Sequence, residues 1–184
     1  MDEKKLFCVE LNEIETWYNK DKEERGEKIT ASAVAFTVQV DATIAEEYIV
    51  ELMKDRTSSN FWQANLVQKI EDIMLYEEGL EGIASYLFCV KVFRVDPDNK
   101  EYIKDKIVIC LIASELIEAQ QLAIKYAQQE KQDGGWCIAE GQAIELVEGW
   151  LVKPVFDGNK WNVNLEPSLV LESKMHKEQE ESNI

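Results

Sequence analysis

Apolar positions along this chain recur with two periods, and the periods alternate in the same order twice. From Lys5 to Leu11, Phe7, Val9 and Leu11 alternate with Leu6, Cys8 and Glu10, which is the period of a strand. Asn12 to Glu27 is polar and charged, and reads as a long hairpin connection. Ile29 to Val40 is rich in Val, Thr and Ala and predicts a second strand. The period then lengthens. Ile44, Tyr48 and Leu52 are spaced by four, as are Ala45, Ile49 and Met53, and together they form one apolar helical stripe. Thr43 followed by Glu46 has the capping-box pattern, and Thr57-Ser58-Ser59-Asn60 ends the segment. Phe61 to Tyr76 carries both signals. Trp62, Leu66, Ile70 and Met74 are spaced by four, yet the corresponding stretch later in the chain is strand-like, so a strand is expected over Lys69 to Tyr76.

The second half repeats the order. Ser85 to Val95 predicts a strand with Phe88, Val90 and Val92 on one face. Asp96-Pro97-Asp98-Asn99 is a turn signal, with proline presetting its own φ and Asp or Asn accepting local amides. Lys106 to Ala113 is an apolar, β-branched run. Ser114 is the expected N-cap of a helix reaching Glu130, with Leu116, Ala119, Ala123, Tyr126 and Ala127 on its apolar side. Asp133-Gly134-Gly135 stops that helix, and Ala143 to Val155 is the expected closing strand. Asp157-Gly158-Asn159-Lys160 marks one further turn, between Val155 and Trp161-Asn162-Val163, and predicts a C-terminal hairpin.

Residue matches support the repetition. Leu6-Phe7-Cys8-Val9 recurs as Leu87-Phe88-Cys89-Val90. Trp62, Gln68, Ile70 and Glu71 match Trp136, Gln142, Ile144 and Glu145 in the same order. The first pair of segments lies further apart than the second, and one excess of seven residues in the first half, placed in the charged stretch at 12–27, reconciles the two offsets. Each half therefore reads strand–strand–helix–strand. The expected fold is α+β: duplicated β-β-α-β units forming an antiparallel sheet of about six strands, two helices on one face, plus the hairpin. The expected divisions are 1–80, 81–165 and an acidic, flexible tail at 166–184.

Tyr86-Leu87-Phe88-Cys89-Val90-Lys91-Val92, the helix opening Ala113-Ser114-Glu115-Leu116-Ile117-Glu118-Ala119 and the closing strand resemble, over residues 85–153, an uncharacterised family of small proteins encoded by bacteriophages and prophages. Thr43 to Glu47 in the first half lacks the Glu-Ala step of that pattern. The resemblance implies a viral origin and a non-enzymatic role, and it assigns no site residues.

Composition narrows the functional classes. The net charge is −16 and 46% of residues are hydrophobic, enough for a core. No apolar run approaches the ~20 residues of a membrane span, and the first residues lack a signal-peptide pattern, so a cytoplasmic location is expected, in the host cell if the chain is viral. The acidity is spread along the chain. It reads either as a solvated surface or as an imitation of nucleic acid that occupies a basic groove on a partner. Cys8, Cys89, Cys110 and Cys137 form no C-x-x-C pair, and read as buried free thiols ahead of zinc ligands. The one histidine, His176, lies in the tail, and no phosphate-binding glycine loop or nucleophile elbow occurs. Neither a catalytic nor a metal site is expected, and no cofactor.

Trp17 and Tyr18 sit in the charged stretch that the second half lacks. With Asp21, Glu23 and Glu24 they are the candidate partner-binding residues, although Trp17 folding back onto the sheet is the alternative. Glu178, Glu180, Glu181 and Ile184 resemble the acidic docking tails of single-strand DNA-binding proteins. The primary expectation is a binding protein that engages a basic protein partner, in its sharpest form an inhibitor of host defence. Single-stranded DNA binding with a recruitment tail, and a virion structural or packaged component, are the other two readings. An exposed edge strand also makes a homodimer an expectation.

Overall fold

In the computed structural model, residues 2–56, 61–72, 75–77, 86–100, 103–131 and 134–168 are described. Two compact units divide the chain, Met1–Ile70 and Glu71–Ile184. The chain is α+β, with two α-helices and antiparallel strand ladders among the described residues.

The first unit contains β1 (Lys5–Asn19), β2 (Glu24–Gln39), α1 (Ala42–Arg56) and β3 (Phe61–Lys69), followed by a single 3-10 turn at Ile70–Asp72. Its sheet has the order β2-β1-β3. Helix α1 packs on the face that carries Phe7, Val9, Leu11 and Trp62, and contributes Ala45 and Ile49 to that core. Ile44 and Tyr48, expected on the same stripe, lie at its solvent margin and are exposed. Asp41 caps α1: its carbonyl accepts from the Ala45 amide at 3.1 Å and its carboxylate from the Ile44 amide at 2.9 Å. The Thr43 cap is thereby corrected, because the helix has already begun at Ala42.

The second unit contains β4 (Tyr86–Val95), β5 (Ile103–Ala113), α2 (Leu116–Lys131) and β6 (Trp136–Ala143), in a sheet ordered β5-β4-β6. Its core joins Phe88, Val90 and Val92 to Ile109, Leu111, Trp136 and the alanine stripe Ala119, Ala123 and Ala127. Small side chains let α2 approach closely. At Gly141 of β6, an added Cβ would meet Leu116 Cδ1 at 3.0 Å. The first intrahelical bond of α2 runs from the Ala119 amide to the Glu115 carbonyl, so Ser114 stands one residue before the cap. Its amide and hydroxyl both donate to Glu118 Oε2, at 3.0 and 2.6 Å. The hydroxyl bond above all, with the amide bond next, holds the Glu118 carboxyl below its usual range. The Asp96 turn forms as expected, its carboxylate accepting from the Asp98 and Asn99 amides.

Strands β7 (Leu146–Val147), β8 (Trp150–Phe156) and β9 (Trp161–Pro167) form a third sheet, which includes the expected C-terminal hairpin. Glu148 and Gly149, both at positive φ, make the two-residue turn between β7 and β8. That turn interrupts the strand expected over Ala143 to Val155; the strand pairing with β4 is the earlier Trp136–Ala143. Likewise β3 lies at Phe61–Lys69, ahead of the expected Lys69 to Tyr76. In both places apolar residues continue past the end of the ladder, so hydrophobicity alone overruns it.

In place of the expected single sheet of about six strands, the described residues form three sheets of three. The centre strand of each β-β-α-β unit, β1 or β4, has both its edges filled by strands of its own unit. Those units also share one register. Cys8 pairs with Phe36 and Gln68, and its counterpart Cys89 pairs with Cys110 and Gln142. Phe36 stands as far from Cys110 along the chain as Gln68 does from Gln142, so both ladders of the second unit repeat those of the first. The bulges coincide as well, at Thr30 and Lys104 in the second strands and at Asn65 and Ala139 in the third. Trp62 and Trp136, and Ile70 and Ile144, are buried in both.

Candidate functional site: an aromatic β-arm

The largest correction falls on Asn12 to Glu27. It is not a connecting loop. Strand β1 continues to Asn19 and β2 begins at Glu24, so the stretch is itself paired β-structure. Strand β3 accompanies β1 only as far as Ile14. Beyond it, Glu15 to Lys28 is a two-stranded arm whose residues are exposed apart from Asn19 and Gly26. In the second unit the equivalent interval, 96–102, is half as long, so the seven-residue excess lies in this arm.

A lone two-stranded hairpin is marginal in water, so an arm of this kind needs local cross-strand support. Trp17 pairs with Gly26, and its indole lies flat across the glycine. A Cβ at Gly26 would overlap Cζ2 and Cε2 of the ring. Glycine thus admits the indole against the opposing backbone, and the indole shields that backbone from water. The next pair, Tyr18 with Arg25, places the guanidinium carbon 5.7 Å from the phenol ring centroid. At the turn, the Asp21 amide donates to Asn19 Oδ1 at 3.0 Å, and Glu23 closes the loop at φ 52°. At the arm's base, the hydroxyl of the bulged Thr30 donates to Glu13 Oε2 at 2.8 Å.

Successive side chains alternate across a strand, so Trp17 and Tyr18 present to opposite faces of the arm. They remain 44% and 53% exposed despite their partners: Trp17 lies against Gly26 of the arm and is not part of the buried core of the unit. Asp21 lies in the turn, and Glu23 and Glu24 at its end, all exposed. The structure thus brings the five candidate residues onto one arm but divides the aromatics between its faces. Arg25 and Gly26 were missed as site residues. A glycine and a cation inside a polar stretch give no sign of their cross-strand partners until the register is known. Thr16, Trp17, Tyr18, Arg25, Gly26 and Glu27 line an open groove along the arm.

The remaining candidates give less. Glu178, Glu180, Glu181, Ile184 and His176 lie outside the described residues. Cys8, Cys89 and Cys110 are buried, whereas Cys137 is exposed on the outer strand β6. Among the described residues, no three His, Cys, Asp or Glu side chains are grouped to hold a metal ion. Nor is any helix among them long and apolar enough to cross a membrane. No protein-family model, curated protein or solved structure matches the chain.

Proposed function

We propose that the chain is a non-enzymatic binding protein that engages a protein partner with a basic surface through the 15–28 arm. The observation that carries this reading is the pair of exposed aromatics, each braced by its cross-strand neighbour and flanked by the carboxylates of Asp21, Glu23 and Glu24. A rigid aromatic surrenders little rotamer freedom on contact, and aromatic and arginine side chains dominate interface energetics. The net charge of −16 supports a basic partner, steering it by long-range attraction. Imitation of nucleic acid towards a host-defence protein is the sharper form of the same reading. The common register and common bulges support descent of the two β-β-α-β units from one duplicated unit, with the arm added to the first.

The test compares the wild-type chain with Trp17→Ala and with Asp21→Asn/Glu23→Gln/Glu24→Gln in affinity capture from lysate, with and without nuclease. The reading expects a basic protein that survives nuclease, is lost from both variants, and elutes with salt. Equal recovery on all three baits sinks it. Nuclease-sensitive recovery, with a mobility shift of single-stranded DNA at low salt, would favour the DNA-binding alternative.

A further inference from the structure

The two β-β-α-β units have the same pairing but unlike outer edges. β2 and β5 are equivalent outer strands: over Ala31–Phe36, β2 is paired with β1 alone among the described residues, while β5 is met on its outer side at Leu111 by an isolated parallel bridge from Tyr76. Such an edge presents a row of unpaired amides and carbonyls, and proteins guard it with charge. Strand β5 does so: Lys104, Asp105 and Lys106 stand at its bulge and just after it. The equivalent residues of β2 are Thr30, Ala31 and Ser32. From Ile29 to Val38 this edge carries neither charge nor proline. Ile29 is 58% exposed, and Thr30 and Ser32 are exposed beside it.

We propose that the outer edge of β2, over Ala31–Phe36, pairs antiparallel with the same strand of a second copy, joining two three-stranded sheets into one of six. The segment is complementary to itself. A two-fold axis at its centre, between Ala33 and Val34, opposes only uncharged residues from Ile29 to Val38, because the charged Glu24, Arg25, Glu27 and Lys28 lie beyond the Thr30 bulge. Such a contact is isologous and closes at two copies, which leaves no free β2 edge for further growth. The arm is the N-terminal continuation of β2, so the two arms of the dimer leave the shared sheet at opposite ends. Each copy carries −16, so salt strengthens the association by screening repulsion.

Light scattering and sedimentation from micromolar to several hundred micromolar test this. The wild-type chain is expected to move from 21.2 kDa to twice that mass, at lower concentration as salt rises. Thr30→Lys/Ser32→Lys installs the residues that β5 already carries at the equivalent positions, and is expected to remain monomeric throughout. Ser32→Lys alone, with the circular dichroism of the wild type, serves if the double variant folds poorly. A wild-type chain that stays monomeric across the whole range overturns the proposal. So does a folded lysine variant that dimerises like the wild type.

Discussion

Lys91 and Glu140 allow the energetics of the second unit to be tested quantitatively. Lys91 projects from β4 on the face opposite α2, beside the buried Leu87 and Cys89, with its side chain only 10% exposed. Its Nζ lies 2.9 Å from Glu140 Oε1 across the β4–β6 ladder, and the Glu140 side chain is 69% exposed. Glu140→Gln removes the carboxylate's charge and leaves a mostly buried ammonium. Breaking a fully buried pair costs about 3–5 kcal/mol, and an exposed pair about 0–1 kcal/mol. A pair buried at one end and wet at the other falls between, at about 1–2 kcal/mol, or about 3–6 °C in Tm for a chain of this size. Lys91→Met removes the ammonium itself and is expected to be neutral or stabilising.

The pH dependence follows from the same contact. The hydrogen bond from Lys91, and then its charge, hold the Glu140 carboxyl below its usual range. Its contribution is complete above the unfolded value of about 4.3 and is lost as pH falls through the lower folded value. Urea titrations at neutral pH and in acid are therefore expected to show Glu140→Gln separated from the wild type at neutral pH and converging with it in acid. Equal losses for Lys91→Met and Glu140→Gln would refute the reasoning, as would a gap that persists in acid.

Two further outcomes are expected. The indole of Trp17 over Gly26 should shift the Gly26 α-proton resonances upfield by ring current; Trp17→Ala should abolish the shift, and an unshifted wild-type Gly26 would contradict the stacking. In the β7–β8 turn, Gly149 at φ 84° suits glycine and Glu148 at φ 50° does not, so Gly149→Val should destabilise by about 1–2 kcal/mol and Glu148→Asn should stabilise modestly, both read by urea denaturation.

Much of the fold is legible in the residues themselves. The alternation Phe7-Val9-Leu11 and Phe88-Val90-Val92 marks the two strands that anchor the cores, and the spacing of Ala45, Ile49 and Met53 marks α1. These patterns persist because one side of each element must leave water, whatever its neighbours are. The turn at Asp96 is equally local, since its carboxylate caps amides two and three residues away. Strand ends fare worse. The breaks after Lys69 and after Ala143 depend on where the ladder with the centre strand stops, not on where hydrophobicity does.

The amino-acid sequence alone determined that strand–strand–helix–strand occurs twice, that the excess of seven residues falls in the first half, and that Trp17, Tyr18 and their acidic neighbours sit within it. Tertiary structure decided that the polar stretch is an arm and not a loop, because its stability comes from pairs such as Trp17 with Gly26 and Tyr18 with Arg25, which are separated along the chain and meet only across the ladder. It also decided that the two units keep separate sheets with unlike edges. Hydrogen-bonded pairing is a relation between distant residues, and its register became visible only when the backbones were laid side by side.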